Sequence, residues 1–195
     1  MTEFNLEQFF YRIGKVDRAL KNLEKEIPEI NYSSTLVNEL ETELELPPEY
    51  LRQAEKTVES FKWLFAFEND LREQTRETLE EKYSDGNWLE KVNLDDETKK
   101  EIGKRVKNEQ DSLSSSRINS DELDFCTLPE ISSIITKNWD LFKEDYPRGS
   151  RFIDNILRDI NRHRVTVAHF SELSNSDKQN LKDKLIRFYN PLSSI

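Results

Sequence analysis

Cysteine and long apolar runs are scarce in this sequence, and each scarcity excludes a class of protein. Cys126 is the only cysteine among 195 residues, so no disulfide can form within the chain and a zinc site with four cysteine ligands is excluded. No run of about 18 apolar residues is present to span a membrane, and the first residues lack the basic and apolar regions of a signal peptide. We therefore expect a cytoplasmic protein without a membrane partner, in which Cys126 is a small core residue.

Positive charge is also in short supply, which argues against a broad nonspecific affinity for nucleic acid. The chain has 29 Lys and Arg against 39 Asp and Glu, a net charge of −10. The distribution is uneven: residues 1–46 carry ten acidic and five basic residues (−5), whereas residues 151–195 carry five acidic and eight basic residues (+3). The basic segment is either an ordinary fluctuation in a highly charged chain or a local anion-binding surface.

Apolar residues recur at helical spacing almost throughout, and only four glycines interrupt them, which predicts an all-α protein. Two apolar stripes before Pro47 and Pro48 are separated by Pro28 and predict a helical hairpin. We therefore expect residues 1–46 to be an N-terminal helical extension and residues 47–195 to be the main helical domain.

The longest predicted helix runs from about Tyr50 to Lys82. The apolar residues on or near one of its faces are Leu51, Ala54, Val58, Phe61, Leu64, Phe65, Leu71 and Leu79. The sequence after this helix predicts a short turn at Trp88–Val92, a charged helix over 95–110 and a mobile loop over Ser112–Asp124. A further helix is predicted from the capping box Thr127–Glu130 to about Asp145, followed by a turn at Tyr146–Gly149. The last two predicted helices start at about Phe152 and at a capping box at Ser176–Gln179.

Both histidines stand beside arginines in the string from Asn161 to His169. The apolar stripe of the preceding helix continues onto Arg164 one turn after Ile160, so Arg164 should face inward and require a partner. His169 follows five residues later, at a predicted helix end or constrained turn. Arginine suits phosphate and histidine exchanges protons near neutral pH. Because RNA supplies its own 2′-hydroxyl nucleophile, this pair could cleave RNA without a metal.

Glu68, Arg72, Arg162 and His163 are candidate supporting residues, each with two interpretations. Glu68 extends the apolar stripe of the long helix, so it either orients Arg164 or the histidine or forms an intrahelical ion pair with Arg72. Arg162 and His163 either contact RNA or belong to a solvated rim. His163 is rotated about 100° from Arg164 around the helix, which predicts that it lies on the outer side.

The wider pattern resembles the HEPN superfamily, whose signature is an arginine, four to six residues and then a histidine. Arg164 and His169 match that signature, and the sequence that follows resembles a subgroup in which a Leu-Ser helix start comes next. Further segments that fit the subgroup are Glu68-Asn69-Asp70-Leu71-Arg72, Asn87-Trp88, and Leu128 through Trp139-Asp140-Leu141-Phe142. The resemblance covers roughly residues 56–190.

The resemblance implies a compact helical bundle that forms a homodimer with two Arg-His pairs in one cleft. If the cleft needs both pairs, we expect an isologous interface near residues 151–173. It also implies a metal-independent endoribonuclease without a cofactor, acting on RNA in a toxin-antitoxin or phage-defence system, with an antitoxin or another protein as a partner. Arg164 and His169 take the places of the family's catalytic residues. Val165 and Thr166 depart from the polar residue and proline of the motif, and some members of the family are noncatalytic. The alternatives are therefore a noncatalytic adaptor that binds a protein partner, and an acidic nucleic-acid mimic that blocks a basic protein.

Overall fold

The computed structural model describes residues 47–84, 86–111 and 121–190. All regular structure in these ranges is helical, which confirms the predicted all-α class. The elements are α1 (Pro48–Lys82), α2 (Trp88–Lys91), α3 (Asp96–Gln110), a 3₁₀ turn (Glu122–Phe125), α4 (Leu128–Lys137), α5 (Trp139–Phe142), α6 (Ser150–Ala168) and α7 (Asn175–Tyr189). The predicted N-terminal hairpin lies outside the described residues. None of the described helices combines the length and apolar character needed to cross a bilayer.

The chain divides into two compact units, and α1 and α6 contribute residues to both. Among the described residues, one unit lies within Trp63–Val165, and the other combines 47–62 with 166–190. The first unit buries a core that includes Phe67, Leu71, Ile102, Leu128, Ile134 and Phe142. The second unit buries Val167, Leu173, Leu181, Leu185, Phe188 and Tyr189. Each fully buried aliphatic or Phe side chain of this kind stabilises the fold by about 1.5–3 kcal/mol.

The predicted bounds of α1 agree with the structure to within two residues, but its predicted apolar face is wrong at four positions. Ala54, Val58, Phe61 and Phe65 are exposed. The residues that α1 buries are instead Ser60, Leu64, Phe67, Leu71, Thr75 and Leu79. A long helix can carry apolar residues on more than one face, and periodicity alone does not say which face the rest of the protein covers.

The predicted mobile loop is wrong at its C-terminal end, where Asp121–Asp124 contribute to a capped 3₁₀ turn. Residues 112–120 lie outside the described residues. The Asp121 carboxylate accepts a hydrogen bond from the backbone N–H of Leu123 at 2.9 Å. Arg76 of α1 donates to the carboxylates of Asp121 and Asp124. This segment is held by partners about 45 residues away in sequence, which a local pattern does not reveal.

The helix that starts at the Thr127–Glu130 capping box ends earlier than predicted. The capping box is present, but α4 stops at Lys137 and Asn138 separates it from α5. The Asn138 side chain donates to the carbonyl of Ile134 at 2.8 Å and accepts from the backbone N–H of Asn93 at 2.7 Å. An asparagine that bonds backbone groups in this way competes with the helix, which explains the break.

Gly149 precedes the start of α6, and Ser174 caps the start of α7. Gly149, with φ of 88°, closes the predicted turn by donating to the carbonyl of Tyr146, and α6 follows. The predicted cap of α7 is wrong by two residues, because Ser174 rather than Ser176 is the N-cap. The Ser174 hydroxyl oxygen accepts from the backbone N–H of Asp177 at 3.1 Å.

Candidate functional site

Glu68 contacts both Arg164 and Arg72, the two arginines that the sequence predicts as its possible partners. The Nε atom of Arg164 donates to Glu68 Oε1 at 3.0 Å, and Arg72 Nη2 lies 3.6 Å from Glu68 Oε2. The side chains of Glu68 and Arg72 are only 13% and 14% exposed, whereas Arg164 is 38% exposed. The two interpretations of Glu68 are therefore compatible, since one carboxylate forms both ion pairs.

The three charged residues come together because two helices present them to each other. Glu68 and Arg72 are one turn apart on α1, and Arg164 follows the buried Ile160 by one turn on α6. Arg72 also donates to the carbonyl oxygens of Leu123 at 3.2 Å and Cys126 at 3.1 Å. These bonds anchor Arg72 to the 3₁₀ segment, so Glu68 is held between an immobilised arginine and the arginine of the motif.

Arg164 retains donors for an anion. Its Nη atoms make no hydrogen bond to any residue within the described ranges, and Nε alone engages Glu68. Together Glu68, Arg72 and Arg164 carry one negative and two positive charges, a balance of +1. A partly exposed guanidinium whose orientation is set through Nε can donate both Nη groups to phosphate oxygens.

His169 lies directly after the last residue of α6, which confirms the predicted helix end in this string. Its side chain is exposed, and the imidazole makes no hydrogen bond or ion pair to a residue that the structure describes. The helix ends in a Schellman motif: the N–H of Phe170 donates to Val167 O at 3.0 Å and the N–H of Ser171 donates to Thr166 O at 3.1 Å. These two bonds hold the backbone on either side of His169 and leave its ring accessible to solvent.

Phe170 is a feature of this turn that sequence reasoning did not identify. It has a left-handed backbone conformation with φ of 57°, and its side chain is 95% exposed. Glycine is the usual residue at this position of a Schellman motif, and the left-handed conformation costs another residue about 1–2 kcal/mol. The sequence signal was the absence of glycine or asparagine after the predicted helix end.

Arg162 lies on an exposed line of α6 that also includes Arg151 and Arg158. Arg158 and Arg162 follow Arg151 by seven and eleven residues, so each lies within about 20° of Arg151 around the helix. Arg162 Nη1 is 3.4 Å from Asp159 Oδ1, and Arg158 pairs with Asp154. With four arginines and two aspartates, α6 carries a balance of +2. His163 is half-buried.

Cys126 matches its predicted role as a core residue. Burial raises the pKa of its thiol to about 12, so the thiol is protonated at neutral pH and unsuited to nucleophilic attack. Its Sγ donates to the carbonyl of Glu122 at 3.4 Å. Among the described residues, no group of three His, Cys, Asp or Glu side chains is placed to hold a metal ion.

No protein-family model matches the sequence, and no curated protein or solved structure matches it either. The HEPN resemblance therefore stays a prediction that depends on the motif residues and their surroundings.

Proposed function

We propose that this protein is a metal-independent endoribonuclease of the HEPN type in which Arg164 and His169 act on the phosphodiester. The observation that carries the proposal is the hydrogen bond from Arg164 to Glu68. It supports the proposal because it orients the guanidinium of the motif arginine without using its two Nη groups. An exposed imidazole five residues later in the chain supplies a group that can accept or donate a proton.

The proposed reaction uses the nucleophile that RNA carries. The 2′-oxygen attacks phosphorus, the bond to the 5′-oxygen breaks, and the products are a 2′,3′-cyclic phosphate and a 5′-hydroxyl. Arg164 stabilises the charge that develops on the phosphate oxygens. His169 either removes the proton from the 2′-hydroxyl or gives a proton to the leaving 5′-oxygen. A dimer with two Arg-His pairs in one cleft would supply both a base and an acid.

The central test is a cleavage assay on RNA in metal-free buffer. We expect His169→Ala and Arg164→Ala each to abolish cleavage, whereas EDTA leaves the wild-type rate unchanged. Circular dichroism and thermal melting should show a folded protein in both cases. The exposed His169 ring leaves stability unaffected when it is removed, and the loss of the Arg164 pair costs about 1 kcal/mol or less because Glu68 keeps Arg72. Wild-type cleavage by either folded variant would overturn the catalytic assignment.

The pH dependence of cleavage separates the two histidines. We expect the single-turnover rate to change with pH in the range of ordinary histidine ionisation, about pH 5–8. His163→Gln should keep the wild-type rate and the pH at which the rate changes, because His163 is not assigned to proton transfer. His169→Gln should lose both cleavage and its pH dependence. An inactive His163→Gln protein together with an active His169→Gln protein would mean that the motif is misread.

The resemblance also makes a toxin or phage-defence role part of the proposal. Expression of the wild-type chain should then arrest bacterial growth, and His169→Ala should relieve the arrest while protein levels stay equal. Equal toxicity of the two chains would contradict a role that depends on RNA cleavage.

A noncatalytic interaction module is the second candidate. The exposed apolar residues Tyr50 and Val58 of α1 favour it, because exposed apolar residues on a helix suit a protein partner. This candidate predicts that the wild-type chain leaves RNA intact under all the assay conditions above.

A further inference from the structure

Phe170 combines two unfavourable properties at one position. Its backbone is left-handed, with φ of 57°, and its ring is 95% exposed. Burial of the ring within the described part of the chain does not offset the strain, because almost no surface of the residue is covered. A non-glycine residue kept in a strained conformation is characteristic of functional sites.

The position of Phe170 indicates what its ring would contact. It immediately follows His169 in the same Schellman turn, where the two backbone hydrogen bonds that end α6 hold it in place. The ring therefore belongs to the residue that follows, in sequence, the imidazole assigned to proton transfer. A substrate whose phosphate reaches His169 brings its neighbouring nucleobase within reach of this ring.

The charge of the preceding helix favours an anionic occupant over a basic or apolar protein surface. Helix α6 carries a balance of +2, and Arg151, Arg158 and Arg162 share its exposed line. Arginines along a backbone together with an exposed aromatic ring are the elements with which proteins bind single strands. A base can stack on an aromatic ring only when it is not stacked within a duplex.

We propose that Phe170 is a stacking platform for the nucleobase next to the cleaved phosphate. This inference rests on the proposed ribonuclease function and adds a substrate-binding residue to it. Phe170 binds substrate in this proposal and takes no part in proton transfer.

The test measures RNA affinity in a His169→Ala background, so that the RNA stays intact. The probes are a fluorescently labelled, unstructured RNA oligonucleotide and a blunt RNA duplex of the same sequence, followed by fluorescence anisotropy. We expect Phe170→Leu to weaken binding of the single strand about ten-fold, the loss typical of one stacked base. Duplex binding should be unchanged, and Phe170→Trp should retain the affinity of phenylalanine.

Phe170→Gly adds a second measurement, in which thermal stability and RNA affinity should change in opposite directions. Glycine relieves the left-handed strain, so we expect the melting temperature to rise by about 2–4 °C while affinity for the single strand falls as it does for Phe170→Leu. If Phe170 had only a structural role, Phe170→Gly would lower the melting temperature and the RNA affinity together. Tyr50→Leu, which removes another exposed aromatic ring, is the matched control and should leave RNA affinity unchanged.

Three results would overturn the stacking proposal. The first is wild-type affinity in Phe170→Leu, and the second is an equal loss for single strand and duplex. The third is conversion of a dimer to a monomer by Phe170→Leu, with RNA affinity restored at higher protein concentration, which would assign the ring to a protein interface.

The outcomes also separate this inference from the proposed function. If His169→Ala abolishes cleavage while Phe170→Leu binds normally, the ribonuclease proposal stands and the stacking proposal fails. If Phe170→Leu loses single-strand binding but His169→Ala still cleaves, the stacking proposal stands and the catalytic assignment fails. If neither RNA binds, both fail.

Discussion

At the scale of single residues, Glu68 and Arg72 form an ion pair, but we expect their substitutions to affect cleavage and stability differently. Glu68→Gln keeps the shape of the side chain and removes the charge that Arg164 binds. We expect cleavage to fall by up to about 10²-fold, because the guanidinium loses its orientation. The unfolding free energy should fall by about 1–2 kcal/mol, because glutamine can accept a neutral hydrogen bond (about 0.5–1.5 kcal/mol) in place of a charged one (about 1.5–3 kcal/mol). Single-turnover kinetics and urea denaturation measure the two effects.

Arg72→Gln is the matched comparison for Glu68→Gln. It removes the donors to the carbonyl oxygens of Leu123 and Cys126 but leaves Glu68 able to bind Arg164. We expect a loss of about 2–3 kcal/mol in stability with a smaller effect on cleavage. The pH at which the rate changes should stay the same in both variants, because both keep His169, the residue assigned to proton transfer. If the two variants lose rate and stability in the same proportion, Glu68 has only a structural role.

At the scale of elements, the N-cap residue Asp95 of α3 makes the stability of the fold decrease in strong acid. Asp95 accepts hydrogen bonds from the hydroxyl of Thr98 at 2.7 Å and its backbone N–H at 2.9 Å, and Lys137 lies 3.3 Å away. Hydrogen bonding by Thr98, with help from Lys137, lowers the pKa of Asp95 from 3.8 to about 2. The ionised form is therefore favoured in the folded state, so this stabilisation is complete above pH 3.8 and is lost as the pH falls through about 2.

Asp95→Asn isolates this contribution, because asparagine also caps helices but carries no charge. We expect the variant to melt at a lower temperature than the wild type at pH 7, and the difference should shrink between pH 4 and pH 2. Asp96→Asn, which removes a carboxylate from the same helical turn but keeps the cap, is the control. A difference between Asp95→Asn and the wild type that stays constant down to pH 2 would contradict the assigned cause.

At the scale of the whole molecule, we expect a two-fold symmetric dimer as the active species if each cleft needs two Arg-His pairs. Light scattering should report a dimer. An equilibrated equimolar mixture of wild type and His169→Ala contains about one quarter wild-type dimers. If each cleft needs both histidines, the mixture should show about a quarter of wild-type activity, whereas independent sites would leave about half. A monomer with full activity would refute the dimer.

The sequence by itself determined the helical class, the extent of α1 and the start of α4, because each of these depends on neighbouring residues. Periodic apolar residues indicate a helix wherever it packs. The Thr127 capping box closes within three residues, so its signal is complete in the local sequence. The inward direction of Arg164 also followed from the stripe that ends at Ile160, and its contact with Glu68 agrees with that direction.

Only the tertiary structure decided which face of α1 is buried, where Asn138 interrupts the helix, and that Glu68 binds both arginines. The Glu68 carboxylate and Arg164 are 96 residues apart in sequence, and Asn138 and Asn93 are 45 apart. Such contacts depend on how separate helices come together. The exposure of Phe170 was likewise undecided, because an aromatic residue after a helix end packs into a core or faces solvent according to what the rest of the chain covers.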